Sequence, residues 1–268
     1  MSRTRFHGRS VSLPSIPHPT VPEYDEILCR LKSSDSACSS SSSSIRNHLD
    51  GLHDLHDSLV SLLLLPETQQ ALAKERHGKW VDEILDGSLR LLDVCGTAKD
   101  SLSLTKECVQ ELQSSLRRKG SDAKEAGKFL ARRKAVKKSI QKALKYSKGL
   151  QTTNKEQELF IISMLREVEK VTVSALESFL SFLSGPKDQS LVTKLMNPKP
   201  ANSETVNEFE QIDAAMQSIF KHKAAVIDNL QGDLSDLELS IEDLESGIEC
   251  LYKHLIKNRI TLLNIISS

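Results

Sequence analysis

The sequence contains few of the residues on which β-sheet proteins depend. Aromatic residues make up 4% of the 268 positions, and there are only eleven glycines and eight prolines. Strands favour β-branched and aromatic side chains between turns that contain Gly or Pro, and no stretch alternates apolar and polar residues convincingly. Leu, Lys, Glu, Ser and Ala are abundant instead. We therefore predict an all-α fold, a bundle of long antiparallel helices with a disordered N-terminal arm.

Cysteine is sparse and irregularly placed, at positions Cys29, Cys38, Cys95, Cys108 and Cys250. The number is odd and no two form a C-x-x-C pair, so neither a disulfide framework nor a structural zinc site is indicated. Cys95 and Cys108 would lie about 20 Å apart along one helix, too far to form a disulfide. The pattern favours a reducing compartment, and we expect the protein to be cytoplasmic.

Long apolar runs and an excess of one charge are also missing. The longest apolar candidates, 59–65 and 159–165, are much shorter than the roughly 18 residues that a membrane span requires. Thirty-six basic residues balance thirty-six acidic residues, so net charge indicates neither nucleic acid nor membrane as a partner. We expect no transmembrane segment.

The familiar catalytic motifs are absent as well. The sequence has no G-x-x-x-x-G-K-[ST], G-x-G-x-x-G, G-x-S-x-G or H-E-x-x-H pattern. His48, His53 and His56, near Asp54 and Asp57, include an H-x-x-H spacing, but the sequence defines no third and fourth ligand for a metal. We therefore predict no enzyme activity, no cofactor and no metal site.

Composition divides the chain near residue 44. Residues 1–44 are rich in Ser, Pro and Arg and end in SACSSSSSS, which is too polar to offset the entropy of ordering. We predict a disordered arm there, with one short helix near 23–31, and a single helical-bundle domain over 45–268. Apolar spacing, Pro and Gly predict that domain's helices. They span about 45–62, 78–118, 122–148, 154–184 and 204–220, followed by a long C-terminal helix.

The stretch from Trp80 to Asp100, WVDEILDGSLRLLDVCGTAKD, gathers acids and a cysteine that could suggest an active site. On a helix its apolar residues and Cys95 fall on one broad face and the acids on the other. The acidic stripe consists of Asp82, Asp86, Asp93, Asp100, Glu107 and Glu111. Solvated acids lack the burial that tunes a catalytic pKa, so we predict packing. We attribute Gly87 to close approach of a neighbouring helix, while Gly96 has no explanation in the sequence.

Apolar residues repeat every 3.5 positions over residues 227–265, which is typical of a coiled-coil seam. The central seam positions are Leu237, Ile241, Leu244, Ile248, Leu251, Leu255, Asn258 and Leu262. Asn258 is the one polar member, of the kind that sets register. The same spacing also occurs inside bundles of long helices. The seam therefore packs within its own bundle or mediates contact with a second copy or a partner helix.

Charge is segregated along the chain although it balances overall. Residues 117–148 contain thirteen basic and two acidic residues, whereas 204–249 contain twelve acidic and two basic residues. The candidate basic surface comprises Arg132, Arg133, Lys134, Lys137, Lys138 and Lys142. The two blocks, together with the acidic stripe, could neutralise each other internally, or the basic helix could bind an anionic membrane or an acidic partner. Nucleic acid is not favoured, because no aromatic stacking platform accompanies the charge.

The arm contains RSVSLP, from Arg9 to Pro14, which matches the R-S-x-S-x-P pattern recognised by 14-3-3 proteins. Phosphorylation of the second serine, Ser12, would add nearly two negative charges for an arginine cluster to bind. We predict Ser12, flanked by Arg9 and Pro14, as a phosphosite and a docking point for 14-3-3.

Three stretches, RSVSLPSIPHP, KWVDEILDGSLRLLDVCGTAKDSL and ESGIECLYKHLIKNRITLLNIIS, resemble in this order the plant-specific BYPASS-related family. The resemblance spans residues 8–267. It implies a flowering-plant source, an all-helical fold and a link with root and shoot development, and it supplies no catalytic residue. We expect a non-enzymatic helical regulatory protein that binds protein partners through its helices. The alternative is a peripheral membrane or acidic-partner adaptor that uses the basic helix 117–148.

Overall fold

A computed structural model describes residues 20–35, 41–119, 123–148, 159–185, 207–221 and 229–268. Across these ranges the chain forms helices and no strand, which confirms the all-α prediction. The helices are α1 (Thr20–Asp35), α2 (Ser42–Leu63), α3 (Pro66–Lys74), α4 (Trp80–Lys119), α5 (Ala123–Ser147), α6 (Phe160–Ser184), α7 (Glu208–Phe220) and α8 (Leu230–Ser267).

Local chemistry explains several helix ends. The Ser41 side chain accepts a hydrogen bond from the Ser44 amide and caps α2, and Pro66 occupies the first turn of α3. Gly185 ends α6 with a φ of 69°, a conformation that glycine adopts without steric cost. Asn207 caps α7 through a 2.8 Å bond from the Glu210 amide. Of these ends, those at Pro66 and Gly185 lie where the sequence predicts a break.

Part of the predicted arm belongs to the bundle. Within residues 1–44, helix α1 packs against α2 and α6 and buries Tyr24, Ile27 and Leu31. The Tyr24 hydroxyl donates a hydrogen bond to the Met164 carbonyl at 3.3 Å. This corrects the extent of the disordered arm, because three apolar residues spaced three and four apart give 20–35 a face to bury. Residues 1–19 and 36–40 lie outside the described ranges.

The long C-terminal helix is central to the fold. Helix α8 packs on α2 and on α4, and its seam positions from Leu230 to Ile265 are buried, as the spacing predicted. Residue pairs between α2 and α8 advance together along both helices, so these two run parallel, whereas pairs between α4 and α8 run in opposite directions. The seam is therefore used inside the bundle.

The other half of the bundle forms around α4, α5, α6 and α7. The apolar strip of α5 is buried, including Phe129, Val136 and Ile140, and Phe182 and Phe209 meet edge to face with ring centroids 5.5 Å apart. None of the helices that the structure describes carries an apolar stretch long enough to cross a bilayer.

Candidate functional site

The acidic stretch of α4 is a packing element. All six carboxylates of the stripe are exposed, as predicted, whereas Cys95 is fully buried. Burial raises the pKa of the Cys95 thiol to about 12, and its Sγ lies 3.8 Å from the Ile248 carbonyl oxygen. A thiol with so high a pKa is protonated and unreactive at neutral pH. The stretch therefore holds no activated nucleophile.

Gly87 is explained by a buried glutamate on α6. A Cβ added at Gly87 would lie 2.0 Å from Glu169 Oε1, so the missing side chain leaves the space that this carboxyl occupies. Glu169 is only 6% exposed, and neither of its oxygens has a hydrogen-bond partner in the described part of the chain. Burial raises its pKa to about 7, against the opposing charges of Arg166 and Arg90. Gly96 has open space around it and remains unexplained.

Arg133, predicted as part of the basic surface, lies in the core and is 2% exposed. Its guanidinium donates two hydrogen bonds to the Asp213 carboxylate, at 3.0 and 3.2 Å. It also bonds the Leu183 carbonyl at 3.0 Å and the Thr105 hydroxyl at 3.3 Å. The prediction was wrong for this residue because the rotation of α5 turns it toward α4, α6 and α7. There Arg133 forms a structural ion pair with Asp213.

Two further basic residues of α5 are neutralised within the bundle. Lys137 lies 2.8 Å from Asp213 and Arg132 lies 2.7 Å from Glu111. The acids that oppose α5 are thus on α7 and near the C-terminal end of α4. The exposed carboxylates of Asp86, Asp93 and Asp100 form no ion pair with α5 among the described residues.

A row of lysines remains on the outside of α5. Lys134, Lys138, Lys142 and Lys145 follow one another at four, four and three residues, which places them on one helix face. All four are exposed, and none forms an ion pair within the described ranges. We call these four residues the lysine face. Lys134, Lys138 and Lys142 are the part of the predicted basic surface that the bundle does not neutralise, and Lys145 extends this row beyond the prediction.

Three acidic residues of α8 pair with lysines of α4. Lys106 lies 2.9 Å from Glu245 and 3.2 Å from Glu242, and Lys99 pairs with Glu249. Glu242, Glu245 and Glu249 thus have their cations on α4, and no ion pair joins them to the lysine face within the described ranges.

The polar seam residue Asn258 has a buried partner. Its amide donates to His56 Nδ1 at 2.5 Å, His56 Nε2 donates to the Thr172 hydroxyl at 3.0 Å, and that hydroxyl donates to the Val168 carbonyl at 2.7 Å. Burial lowers the pKa of His56 to about 3, so the ring is neutral at physiological pH. These bonds fix the rotation of α8 relative to α2 and α6, which is the register role expected for Asn258.

A second polar cluster lies on the outer side of the α2–α8 contact. His53 on α2 and Cys250 and His254 on α8 bring three ligand atoms within 4.8 Å of one another. The two imidazole rings meet edge to face with centroids 4.2 Å apart. Asp57 Oδ1 lies 3.1 Å from His254 Nε2. This cluster was not predicted from the sequence, although His53 and Asp57 on α2 lie four residues apart on one helix face, as do Cys250 and His254 on α8.

A family model described as Protein BPS1 matches residues 48–265, which is most of the chain. The chain belongs to the BPS1 family. This confirms the BYPASS-related resemblance. No curated protein and no solved structure matches the chain.

The residues that the BPS1 model matches include the lysine face and the Arg133–Asp213 pair. They also include the His56–Asn258 pair and the cluster of His53, Cys250 and His254. Ser12, with Arg9 and Pro14, lies before the BPS1 match and outside the described residues. The phosphosite and its docking to 14-3-3 therefore stay predictions.

Proposed function

We propose that this BPS1-family protein is a non-enzymatic helical regulator that acts in root and shoot development by binding a protein partner with an acidic surface. The family membership supports the developmental role. The lysine face of α5 supports the binding role, because four cations remain on one side of the molecule after the internal ion pairs have formed.

The lysine face is the observation that carries this proposal. Its four lysines lie within twelve residues of helix, and the first and last are eleven steps apart, roughly 16 Å at 1.5 Å per residue. Exposed like charges this close repel one another, and a surface of opposite charge relieves that repulsion while it accelerates association. A partner with a row of Asp or Glu at matching helical spacing is the complementary surface.

An anionic membrane is the competing ligand for the same cations. Amphipathic helices that bind at a membrane interface bury their apolar side among the lipids. In α5 that side is already occupied, since Phe129, Val136 and Ile140 are buried in the bundle. Membrane binding would then depend on charge alone, at about 1 kcal/mol per basic residue near the surface. The packing therefore favours an acidic protein.

Charge reversal on the lysine face tests the proposal. Lys134→Glu, Lys138→Glu and Lys142→Glu are combined in one variant and expressed in plants that lack this protein. A variant with Lys74→Glu, Arg76→Glu and Lys79→Glu makes the same charge change at exposed positions in and just after α3 and serves as the matched control. We expect the control to restore normal root and shoot growth and the α5 variant to fail at equal protein abundance. Restoration by both variants would contradict the proposal.

The identity of the ligand is decided by two parallel measurements. Proximity labelling in the same plants compares the proteins labelled by the wild type and by each variant, and vesicle sedimentation compares neutral with anionic lipids. Loss of specific acidic neighbours in the α5 variant, without charge-dependent sedimentation of the wild type, supports the protein partner. Sedimentation with anionic vesicles that the α5 variant loses and the control keeps would instead establish a peripheral membrane adaptor.

A further inference from the structure

The cluster of His53, Cys250 and His254, with Asp57 beside it, has the composition of a metal site. Each of two helices contributes a pair of metal-ligating residues at i and i+4, His53 and Asp57 from α2 and Cys250 and His254 from α8. The parallel packing of α2 on α8 brings the pairs together, although 197 residues separate Asp57 from His254. We propose that His53, Cys250 and His254 bind a divalent transition metal ion of the zinc type.

The position of Nδ1 beside the Cys250 sulfur favours it as the ligand atom of His254. Nε2 lies 3.1 Å from Asp57 Oδ1, whereas Nδ1 lies 3.9 Å from the Cys250 Sγ and 2.8 Å from the Cys250 carbonyl oxygen, a contact that it would give up to bind a metal. A carboxylate that accepts from one imidazole nitrogen while the other nitrogen binds the metal is the usual outer arrangement of zinc-bound histidine. Asp57 is thus a positioning residue for His254, and it brings negative charge close to the ion.

The distances are compatible with coordination after a small adjustment. Zinc binds imidazole nitrogen at about 2.0 Å and thiolate sulfur at about 2.3 Å, so tetrahedral ligand atoms lie roughly 3.5 Å apart. The three ligand atoms here lie within 4.8 Å of one another, and the Cys250–His254 pair is at 3.9 Å. Side-chain rotations of these partly exposed residues suffice to close the set. Three protein ligands leave a fourth position for water or another group.

Protons compete with the metal for this cluster. Both His254 nitrogens face acceptors, since Nδ1 lies 2.8 Å from the Cys250 carbonyl oxygen and Nε2 faces Asp57. Thiolate and unprotonated imidazole nitrogen are the forms that bind a metal, so protons oppose binding at any site of this kind. Other charges face the cluster: Lys257 Nζ lies 3.4 Å from Asp57 Oδ1 and Asp54 Oδ1 lies 3.9 Å from His53 Nδ1. Affinity should rise as pH increases.

Metal titration of the full chain tests the proposal independently of the lysine face. The reduced protein is titrated with Zn²⁺ against a chromophoric chelator, and with Co²⁺, whose absorption reports tetrahedral thiolate coordination. We expect one saturable site in the wild type. Cys250→Ser and His53→Gln should weaken binding at least about 10-fold, and Asp57→Asn about 10-fold to 100-fold.

Matched controls use a cysteine and a histidine outside the cluster. Cys29 and His77 are both exposed, and Cys29→Ser and His77→Gln should bind one equivalent with unchanged affinity. His53 is partly exposed, so His53→Gln should leave the circular dichroism spectrum and thermal unfolding unaltered, which separates lost ligation from misfolding. The proposal is overturned if the wild type shows no saturable site at micromolar Zn²⁺, or if Cys250→Ser and His53→Gln bind as tightly as the wild type.

Discussion

Glu169 is a carboxylic acid in an environment that disfavours its charged form. It is buried between α6 and Gly87 of α4, and its carboxyl oxygens have no hydrogen-bond partner among the described residues. Burial raises its pKa from 4.5 to about 7, although Arg166 and Arg90 act in the opposite direction. Between pH 4.5 and about 7, the folded protein therefore holds a proton on the Glu169 carboxyl that the unfolded chain releases.

This difference predicts how the stability of the protein depends on pH. Because the folded-state pKa is the higher one, the contribution of Glu169 is fully present below pH 4.5 and is lost as pH rises to about 7. Each pKa unit corresponds to about 1.4 kcal/mol, so the loss is on the order of 3 kcal/mol. The side chain introduced by Glu169→Gln does not titrate, so this variant should not show that loss of stability. The measurement is urea unfolding of both proteins between pH 4 and pH 8.

The comparison between variants isolates Glu169 from other groups. His56 titrates in the opposite sense, because its lowered pKa removes stability as pH falls from 6.5 toward 3, and it is present in both proteins. Glu107→Gln, at an exposed site on α4, serves as the control and should follow the wild type. A constant stability difference between Glu169→Gln and the wild type over this pH range would show that the assignment to Glu169 is wrong.

At the scale of helices, the Arg133–Asp213 pair connects four elements. Arg133 on α5 bonds Asp213 on α7, the Leu183 carbonyl on α6 and the Thr105 hydroxyl on α4. Its guanidinium also lies 5.6 Å from the centre of the Phe209 ring. A buried ion pair adds little net stability, but removal of one partner leaves a charge without compensation in the core.

Asp213→Asn is therefore expected to destabilise the protein by about 3–5 kcal/mol, because Arg133 would keep its charge inside the bundle. Glu111→Gln removes the opposing acid from Arg132, which is solvated, and should leave stability unchanged within error. The measurement is the free energy of unfolding in urea at neutral pH. Equal effects of the two substitutions would contradict the structural role of the buried pair.

At the scale of the whole molecule, the heptad seam of α8 packs inside the bundle. The seam residues of α8 are buried against α2 and α4 and are not free to pair with a second copy. The Asn258 amide is hydrogen-bonded to His56 and is therefore not free to pair with a second copy either. Coiled-coil self-association through this seam would require the bundle to open.

We therefore predict that the full chain is a monomer in solution at micromolar concentration. Sedimentation equilibrium should return a mass near the 29.8 kDa of the single chain, without dependence on concentration. Leu251→Asp, in the fully packed centre of the seam, should unfold the protein rather than dissociate an oligomer. A concentration-dependent dimer that this substitution converts to a folded monomer would show that the seam is intermolecular.

Much of the fold was predictable because it depends on local chemistry. Residues a few positions apart determine the helix spacing, the breaks at Pro66 and Gly185, the seam of α8 and the outward acids of α4. The BPS1 family was likewise recognisable from three short stretches. The extent of the arm was misjudged, since only the contact of α1 with α2 and α6 orders residues 20–35.

The sequence by itself thus determined the helices, their apolar faces and the net balance of charge. Only the tertiary structure decided which basic residues are free, since the rotation of α5 buries Arg133 and exposes Lys134 beside it. The tertiary structure also decided that His53 lies beside Cys250 and His254. The physical reason is that periodicity defines a face of one helix, whereas contacts between distant residues depend on how helices are ordered, oriented and rotated against each other.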